Sequence, residues 1–370
     1  MLFYLKNSLI TSEDDVSFSS IYRSVRYIAE QVEASSHLLT GDFEVIEHFR
    51  KVFKNDPILS ILFDKIYQHY SEYIVPNFIT FYLEIVKDNP LQQRVEGDKL
   101  IAQIEYSHFS TLESASTSVL MGEDSNDGKF YGHVMQWYIK KYASRAHVSL
   151  NFRHGGGVNT AREIGSYLDQ GVIVLAIIDT DKKYPNCRPK RDGTYDRCVK
   201  LHRTEPYYKL LPIDVHEIEN LIPRNYIQAC HDWSNPYSND TIRKNKIDKL
   251  YNDSEHTLPY FDFKKGLIVC DDMRNKPDYK EYARACYNAD PEKLAQEPDF
   301  DKFLANTPND TEIYPLLFGG SGLSTRTIDL IEDEVNCPEP SLLAFQEENW
   351  KKIGQEMINW GICRGKERLY

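Results

Sequence analysis

The sequence lacks a hydrophobic run long enough to cross a lipid bilayer, which takes about 20 consecutive apolar residues. Its start, MLFYLKNSLITSEDD, has too short an apolar part and is too acidic afterwards for a secretory signal. We therefore expect a cytoplasmic protein with no membrane partner. Hydrophobic residues make up 41% and charged residues 27% of the chain, a balance typical of folded globular proteins that excludes wholesale disorder.

An excess of positive charge is also missing, because 44 Lys and Arg face 56 Asp and Glu, for a net charge of −12. Such a chain does not bind nucleic acid indiscriminately, so any binding must come from a local basic patch. The seven cysteines are odd in number, scattered and without a CxxC pair. This pattern excludes a secreted disulfide framework and disfavours a zinc knuckle around Cys187, Cys198 and His202.

The most informative stretch is VIVLAIIDTDKKYP, residues 172–185. Its seven leading apolar residues predict a strand buried on both faces of a parallel sheet. The run stops at Asp179 and Asp181, which lie where open α/β sheets bind ligands, at the carboxyl end of a strand. Residues two apart in an extended segment point the same way, so both carboxylates can face one hard cation. A solvated pair of loop acids is the alternative explanation for DxD alone.

Residues 1–113 have a helical pattern with turn-prone breaks. Apolar residues recur at spacings of three and four in SIYRSVRYIAEQV, FEVIEHFRKVF, ILSILFDKIYQHY and ITFYLEIVKDN. We therefore expect an α-helical N-terminal region of four or five helices. The many Tyr and Phe residues in it favour a helical core over a base-stacking surface.

Residues 114–225 alternate between strand and helix patterns. A strand in STSVLMGEDSND precedes a helix in GKFYGHVMQWYIKKYA, and a strand in HVSLNFRHGGG precedes a helix in NTAREIGSYLDQG. The central strand and a further strand in YYKLLPI follow. Short connections of this kind predict right-handed crossovers, and hence an α/β domain with a doubly wound parallel sheet.

Residues 226–370 read as a mixed, mainly helical C-terminal region. KKGLIVCDD favours one more strand that ends in carboxylates. PSLLAFQEENWKKIGQEMINWGI predicts an amphipathic helix, with Trp350, Ile353, Met357 and Trp360 in the core.

Carboxylates follow several predicted strands, and we expect them to converge because the carboxyl ends of parallel strands meet at one sheet edge. Four or five such charges repel one another by several kcal/mol unless a cation neutralises them. Oxygen ligands select Mg²⁺ or Mn²⁺ over zinc. In strand order the acids are Glu123 and Asp127, then Asp179 and Asp181, then Glu217 or Glu219.

The loop at 182–203 is strongly basic, with only Asp192 and Asp196 as counter-charges. Beside paired carboxylates in an acidic protein, this concentration favours contact with a phosphate backbone. A solvated surface loop is the alternative. The basic residues are Lys182, Lys183, Arg188, Lys190, Arg191, Arg197, Lys200 and Arg203.

Together these motifs resemble the TOPRIM fold of topoisomerases, bacterial primases, small ribosomal-RNA maturases and OLD-type (overcoming lysogenization defect) nucleases. The matching residues are Glu123 and Asp127 after the first strand, the glycines at 155–157 after the second, and Asp179 with Asp181. EIENLIP also resembles the Glu-x-Glu-Asn element of TOPRIM-like proteins from bacterial anti-phage defence loci. The resemblance covers about residues 115–225.

The resemblance implies a magnesium-dependent nuclease, the effector of an anti-phage defence system, that hydrolyses phosphodiester bonds in DNA or RNA, tRNA included. It implies one Mg²⁺ or Mn²⁺ held by Asp179 and Asp181, which Glu123 shares unless it is the general acid/base. Asp127 with Glu217 or Glu219 would hold a second ion.

A late lysine stabilises transition-state charge in OLD-type nucleases, and Lys264 or Lys265 is the candidate here. Simple exposure of both lysines is the favoured alternative. The implied nucleic-acid contacts are Lys182, Lys183, Arg188, Lys190 and Arg191.

Other classes fit less well. A haloacid dehalogenase phosphatase has Thr or Val where this chain has Lys183, and a glycosyltransferase leaves Glu123, Asp127 and the triple glycine unexplained. The main alternative is a non-catalytic TOPRIM-like module or sensor that works with a separate ATPase subunit. No Walker motif is present, since GGSGLSTR lacks the lysine. The oligomeric state, a homo-oligomer included, and the nucleic-acid target stay open.

Overall fold

The structure is a computed structural model, and it describes the chain except residues 73–74, 89, 91–92, 231–247, 253–256, 315–321, 334 and 366–370. It divides into two compact units, each assembled from separate stretches of sequence. The first comprises Met1–Ile177, Cys198–Leu211 and Lys351–Tyr370, and the second comprises Ile178–Arg197 and Pro212–Trp350. Within the described ranges, no helix combines the length and the apolar content that crossing a membrane takes.

The N-terminal part of the first unit contains a five-stranded sheet in the order β2-β1-β3-β5-β4. All neighbouring strands are parallel except β4, which is antiparallel to β5. The elements in chain order are β1 (Leu2–Leu5), α1 (Phe18–Glu33), β2 (Leu38–Gly41), α2 (Phe43–Val52), α3 (Leu59–Gln68), β3 (Phe81–Val86), β4 (Gln93–Glu96) and β5 (Lys99–Glu105).

The expectation of an all-helical region over residues 1–113 is therefore wrong. Three of its four predicted helices are present as α1, α2 and α3, but ITFYLEIVKDN forms β3 instead. All six residues of β3 are buried. A strand buried on both faces has no alternation of polar and apolar residues, so spacing alone does not separate it from a buried helix.

A second sheet has the strand order β10-β9-β6-β8, with β6 parallel to both β8 and β9. This confirms the predicted succession of strand, helix, strand, helix and strand. Strand order reverses between β6 and β9, and open α/β sheets bind ligands at such a reversal. The elements are β6 (Val119–Gly122), α4 (Ser125–Tyr142), β7 (His147–Val148), β8 (Asn151–His154), α5 (Thr160–Asp169), β9 (Val174–Ile178), α6 (Thr194–Val199) and β10 (Tyr208–Pro212).

The C-terminal part is mainly helical, as expected, but the strand predicted in KKGLIVCDD is only β11 (Leu267–Ile268). It pairs antiparallel with β12 (Glu312–Tyr314) and not with the parallel sheet. The last helix, Ala344–Gly361, is confirmed, and its four predicted core residues are each at most 2% exposed. The other helices include α7 (Arg224–Ala229), Asp271–Asn275, Pro277–Asn288, Pro291–Gln296, Phe300–Asn306 and Gly322–Glu332.

Candidate functional site

The two aspartates of the DxD motif lie in the second unit, in a segment that hydrogen bonds connect to Val215, His216 and Ile218, at the start of EIEN. The buried Thr180 donates from Oγ1 to the carbonyl of Val215 at 2.8 Å. The backbone N–H of Asp181 donates to the carbonyl of His216 at 3.1 Å. Asp179 Oδ2 accepts from the N–H of Ile218 at 3.4 Å. These bonds place both aspartates beside residues 215–218.

The prediction that both carboxylates project from an extended segment is wrong at Asp181. This residue has a φ of 52°, in the left-handed region, which Asp adopts more readily than most side chains. The hydrogen bond from its N–H to His216 holds it there. The Asp181 carboxylate Oδ2 lies 3.6 Å from the Lys190 ammonium.

The EIEN element forms a short 3-10 turn, Ile218–Leu221, whose Asn220 is fully buried. Asn220 Oδ1 accepts from the N–H of Glu217 at 2.9 Å. Its amide nitrogen donates to the carbonyls of Leu258 at 2.6 Å and Phe261 at 2.9 Å. The asparagine thus fixes the chain just before Asp262 beside the turn.

This arrangement brings His216, Glu217 and Asp262 together, with one ligand atom from each lying within 4.8 Å of the others. His216 Nε2 is 3.6 Å from Glu217 Oε1 and 3.5 Å from Asp262 Oδ2. Burial lowers the pKa of His216, but the two carboxylates raise it more, so it lies above its ordinary value. Burial likewise raises the pKa of Asp262, but His216 and Lys265 together lower it by more and bring the value to about 2.

Lys264 pairs with both glutamates of EIEN: its Nζ is 2.7 Å from Glu217 Oε2 and 3.0 Å from Glu219 Oε1. Burial lowers the pKa of Lys264, but the carboxylates of Glu219 and Glu217 raise it by more than burial lowers it. The amine therefore stays protonated. Burial raises the pKa of Glu219, whose side chain is only 2% exposed. The favoured expectation of two exposed lysines is therefore correct for Lys265, at 79% exposure, and wrong for Lys264, at 33%.

Part of the basic loop lines a cavity of about 340 Å³ in the second unit, together with acids and aromatic side chains. Of the predicted nucleic-acid contacts, Lys183 and Lys190 line it. Arg188 and Arg191 are exposed, while Lys182 pairs with Asp214. The charged residues and the histidine around the cavity are Asp181, Lys183, Lys190, His216, Asp262 and Lys265.

The acids after β6 belong to the first unit, where Asp127 is the third residue of α4 in the capping box that begins this helix, and Asp124 is the N-cap. Asp127 Oδ2 accepts from the N–H of Glu123 at 2.8 Å and of Asp124 at 2.9 Å, and Asp127 is 8% exposed. This role accounts for Asp127 without a cation. That Glu123 and Asp127 share a metal site with Asp179 and Asp181 stays a prediction.

The triple glycine packs against the same strand end. Gly155 N–H donates to the carbonyl of Gly122 at 2.9 Å, and Gly156 N–H to that of Glu123 at 3.2 Å. A Cβ on Gly155 would lie 2.2 Å from Thr160 Oγ1, and Gly156 has a φ of 71°. The turn therefore requires glycine for steric and backbone reasons.

Sequence reasoning missed three residues of the site: His216, Asn220 and Asp262. His216 directly precedes the recognised EIEN element, and Asp262 stands two positions before Lys264. Asn220 belongs to the EIEN motif, but the sequence alone does not indicate what its side chain binds. A polar residue beside a motif is a weak signal, because the chain must fold before these groups meet.

Comparison of the chain with protein-family models, curated proteins and solved structures gave no match. The site is therefore classified by its own chemistry. In the second unit, carboxylates, an imidazole and lysines line one cavity. Carboxylates are the groups that hard cations prefer, and lysines are the groups that anions prefer.

Proposed function

We propose that the protein is a magnesium-dependent nuclease with a TOPRIM-like core, the effector of a bacterial anti-phage defence system. The observation that carries the proposal is the cavity shared by Asp181 and the lysines Lys183 and Lys190. A phosphodiester and its cation need negative and positive groups on the same wall, and this cavity supplies both.

The residues present fit magnesium, because Asp179 and Asp181 offer the carboxylate oxygens that this ion prefers. When bound, Mg²⁺ supplies polarisation of a phosphoryl oxygen and stabilisation of the leaving oxygen. Asp179 and Asp181 would hold it, with Glu123 as the proposed third acid. Lys183 and Lys190 would orient the phosphate group, and Lys264 would position Glu217 and Glu219 by offsetting their charges.

The nucleic-acid part of the proposal rests on the basic loop, where Arg188, Lys190 and Arg191 are exposed in an otherwise acidic chain. If they contact phosphates, neutralising all three weakens oligonucleotide binding and flattens its salt dependence. Each lost contact reduces the slope of log K against log salt by about 0.7 to 0.9. Equal slopes for the triple variant and the wild type would remove this loop from the substrate path.

The direct test is cleavage by the purified full chain. Labelled single- and double-stranded DNA, RNA and tRNA are incubated with Mg²⁺, with Mn²⁺ or with EDTA. We expect cleavage of at least one substrate with either metal and none with EDTA. A wild-type chain that binds nucleic acid but cleaves none of these substrates would instead favour the partner-binding module that works with a separate ATPase.

A further inference from the structure

The imidazole of His216 has one nitrogen bonded and one nitrogen directed at carboxylates. The residue is 5% exposed. Nδ1 lies 2.8 Å from the carbonyl oxygen of Lys182, and because a carbonyl only accepts, Nδ1 carries the hydrogen. Nε2 is buried and makes no hydrogen bond to any residue that the structure describes. A backbone carbonyl that fixes one nitrogen while the other is available is the usual arrangement of a metal-binding histidine.

The distances around Nε2 fit a shared cation better than direct hydrogen bonds. Asp262 Oδ2 is 3.5 Å away and Glu217 Oε1 is 3.6 Å away. An N–H···O bond usually spans about 2.7 to 3.2 Å, and Nε2 meets the geometry of a hydrogen bond with neither oxygen. Ligand atoms on a tetrahedral ion with bonds of about 2.1 Å lie about 3.4 Å apart, close to both values.

Each carboxylate is also held by its other oxygen. Asp262 Oδ1 accepts from the N–H groups of Lys264 at 2.9 Å and Lys265 at 2.8 Å. Glu217 Oε2 lies against the Lys264 ammonium at 2.7 Å. The oxygens directed at His216 are therefore positioned by surrounding contacts, as second-sphere groups position metal ligands.

The cluster also contains more acidic side chains than ammonium groups. Glu217, Glu219 and Asp262 supply three carboxyl groups, and the ammonium that pairs with both glutamates is that of Lys264. The Lys265 ammonium, 3.6 Å from Asp262 Oδ2, is largely in water and contributes little. This excess of acidic groups beside an available imidazole nitrogen favours a cation in the cluster.

We infer that His216, Glu217 and Asp262 form a binding site for a transition-metal ion, and that the preferred ion is Zn²⁺. A nitrogen ligand favours zinc over magnesium, so the site is chemically distinct from the proposed magnesium site at Asp179 and Asp181. His216 and Asp262 also line the cavity, which gives an ion a way in. The inference goes beyond the proposed function and does not depend on it.

Metal content is the test. The full chain is stripped with a chelator, dialysed against Zn²⁺ with a large excess of Mg²⁺, and analysed for bound zinc without nucleic acid. We expect about one zinc per chain above the amount retained by His216→Gln, and binding at least about tenfold weaker in Asp262→Asn. Asp262→Asn keeps a side-chain oxygen that accepts from the backbone N–H groups of Lys264 and Lys265. Circular dichroism checks that each variant is folded. Asp278→Asn, an exposed acid of the same unit, is the matched control.

Seven free cysteines provide other places for zinc, and His216→Gln keeps all of them, so the difference between the two chains isolates the site. Equal zinc in wild type and His216→Gln would overturn the inference, as would full binding by Asp262→Asn. A wild-type chain that retains this zinc but cleaves no substrate would refute the nuclease and leave the zinc site standing. Cleavage in Mg²⁺ without zinc binding at His216 would refute the zinc site and leave the nuclease proposal standing.

Discussion

Two groups of acids, one in each unit of this protein, have different surroundings. In the first unit, Asp127 is occupied by two backbone N–H groups at the start of α4. In the second unit, Asp181 lies near a lysine and Asp262 near a histidine. A carboxylate after a buried strand is therefore not a metal ligand by position alone. The groups around it decide whether it stabilises the fold or serves a site.

The largest effect that we expect is a loss of nuclease activity in the Asp181→Asn variant. Losing a charged ligand removes the cation at the reaction centre, so we expect at least about a hundredfold loss of activity, or about 3 kcal/mol in the barrier. The melting temperature stays the same or rises slightly, because like-charge repulsion decreases. Rates in Mg²⁺ measure this, with the exposed Asp98→Asn as control. Wild-type cleavage by Asp181→Asn would show that the site is elsewhere.

Lys264→Met should have the largest effect on stability in the second unit. It leaves Glu217 and the buried Glu219 without their cation, and breaking fully buried pairs costs about 3 to 5 kcal/mol. Because a third of the Lys264 side chain is exposed, we expect about 2 kcal/mol in the free energy of unfolding. Urea titration measures the loss, and Lys265→Met is the exposed control. Adding Glu219→Gln to Lys264→Met should recover part of the stability, and no recovery would argue against this pairing.

The sequence predicts β9 and its neighbours because seven apolar residues before DTD fit only a buried strand in a chain of alternating elements. It does not predict β3, whose two buried faces remove the alternation that identifies a strand. Of the candidate site, the sequence predicts the acids that follow strands. It does not predict His216 with Asp262, because Asn220 joins chain segments 38 and 41 residues apart to bring them together.

The buried His37 of the first unit makes the stability of the protein depend on pH. In the first unit, burial lowers the pKa of His37 from 6.5 to about 3, against its hydrogen bonds to the carbonyls of Ser116 and Ala115. Between these values only the unfolded chain takes up the proton, so stability falls as pH decreases through this window, by about 1.4 kcal/mol per pH unit at most.

His37→Gln should therefore make unfolding free energy less dependent on pH between about 6 and 4. The slope is compared with that of the exposed His69→Gln, in urea titrations at several pH values. An unchanged slope in His37→Gln would show that His37 is not buried in its neutral form.

The smallest effect is expected for substitutions of Asp127. They test most directly whether an acid stabilises the fold or serves a metal site. Asp127→Ala removes the acceptor for two backbone N–H groups and should cost about 1 kcal/mol of stability. Asp127→Asn keeps an oxygen at that place, so we expect it to unfold within a few tenths of a kcal/mol of wild type. Equal losses in Ala and Asn would mean that the charge, and not the cap, is what stabilises α4. Because Asn keeps the cap but not the charge, loss of magnesium-dependent cleavage in a normally stable Asp127→Asn would place Asp127 among the ligands, beside its role in the helix.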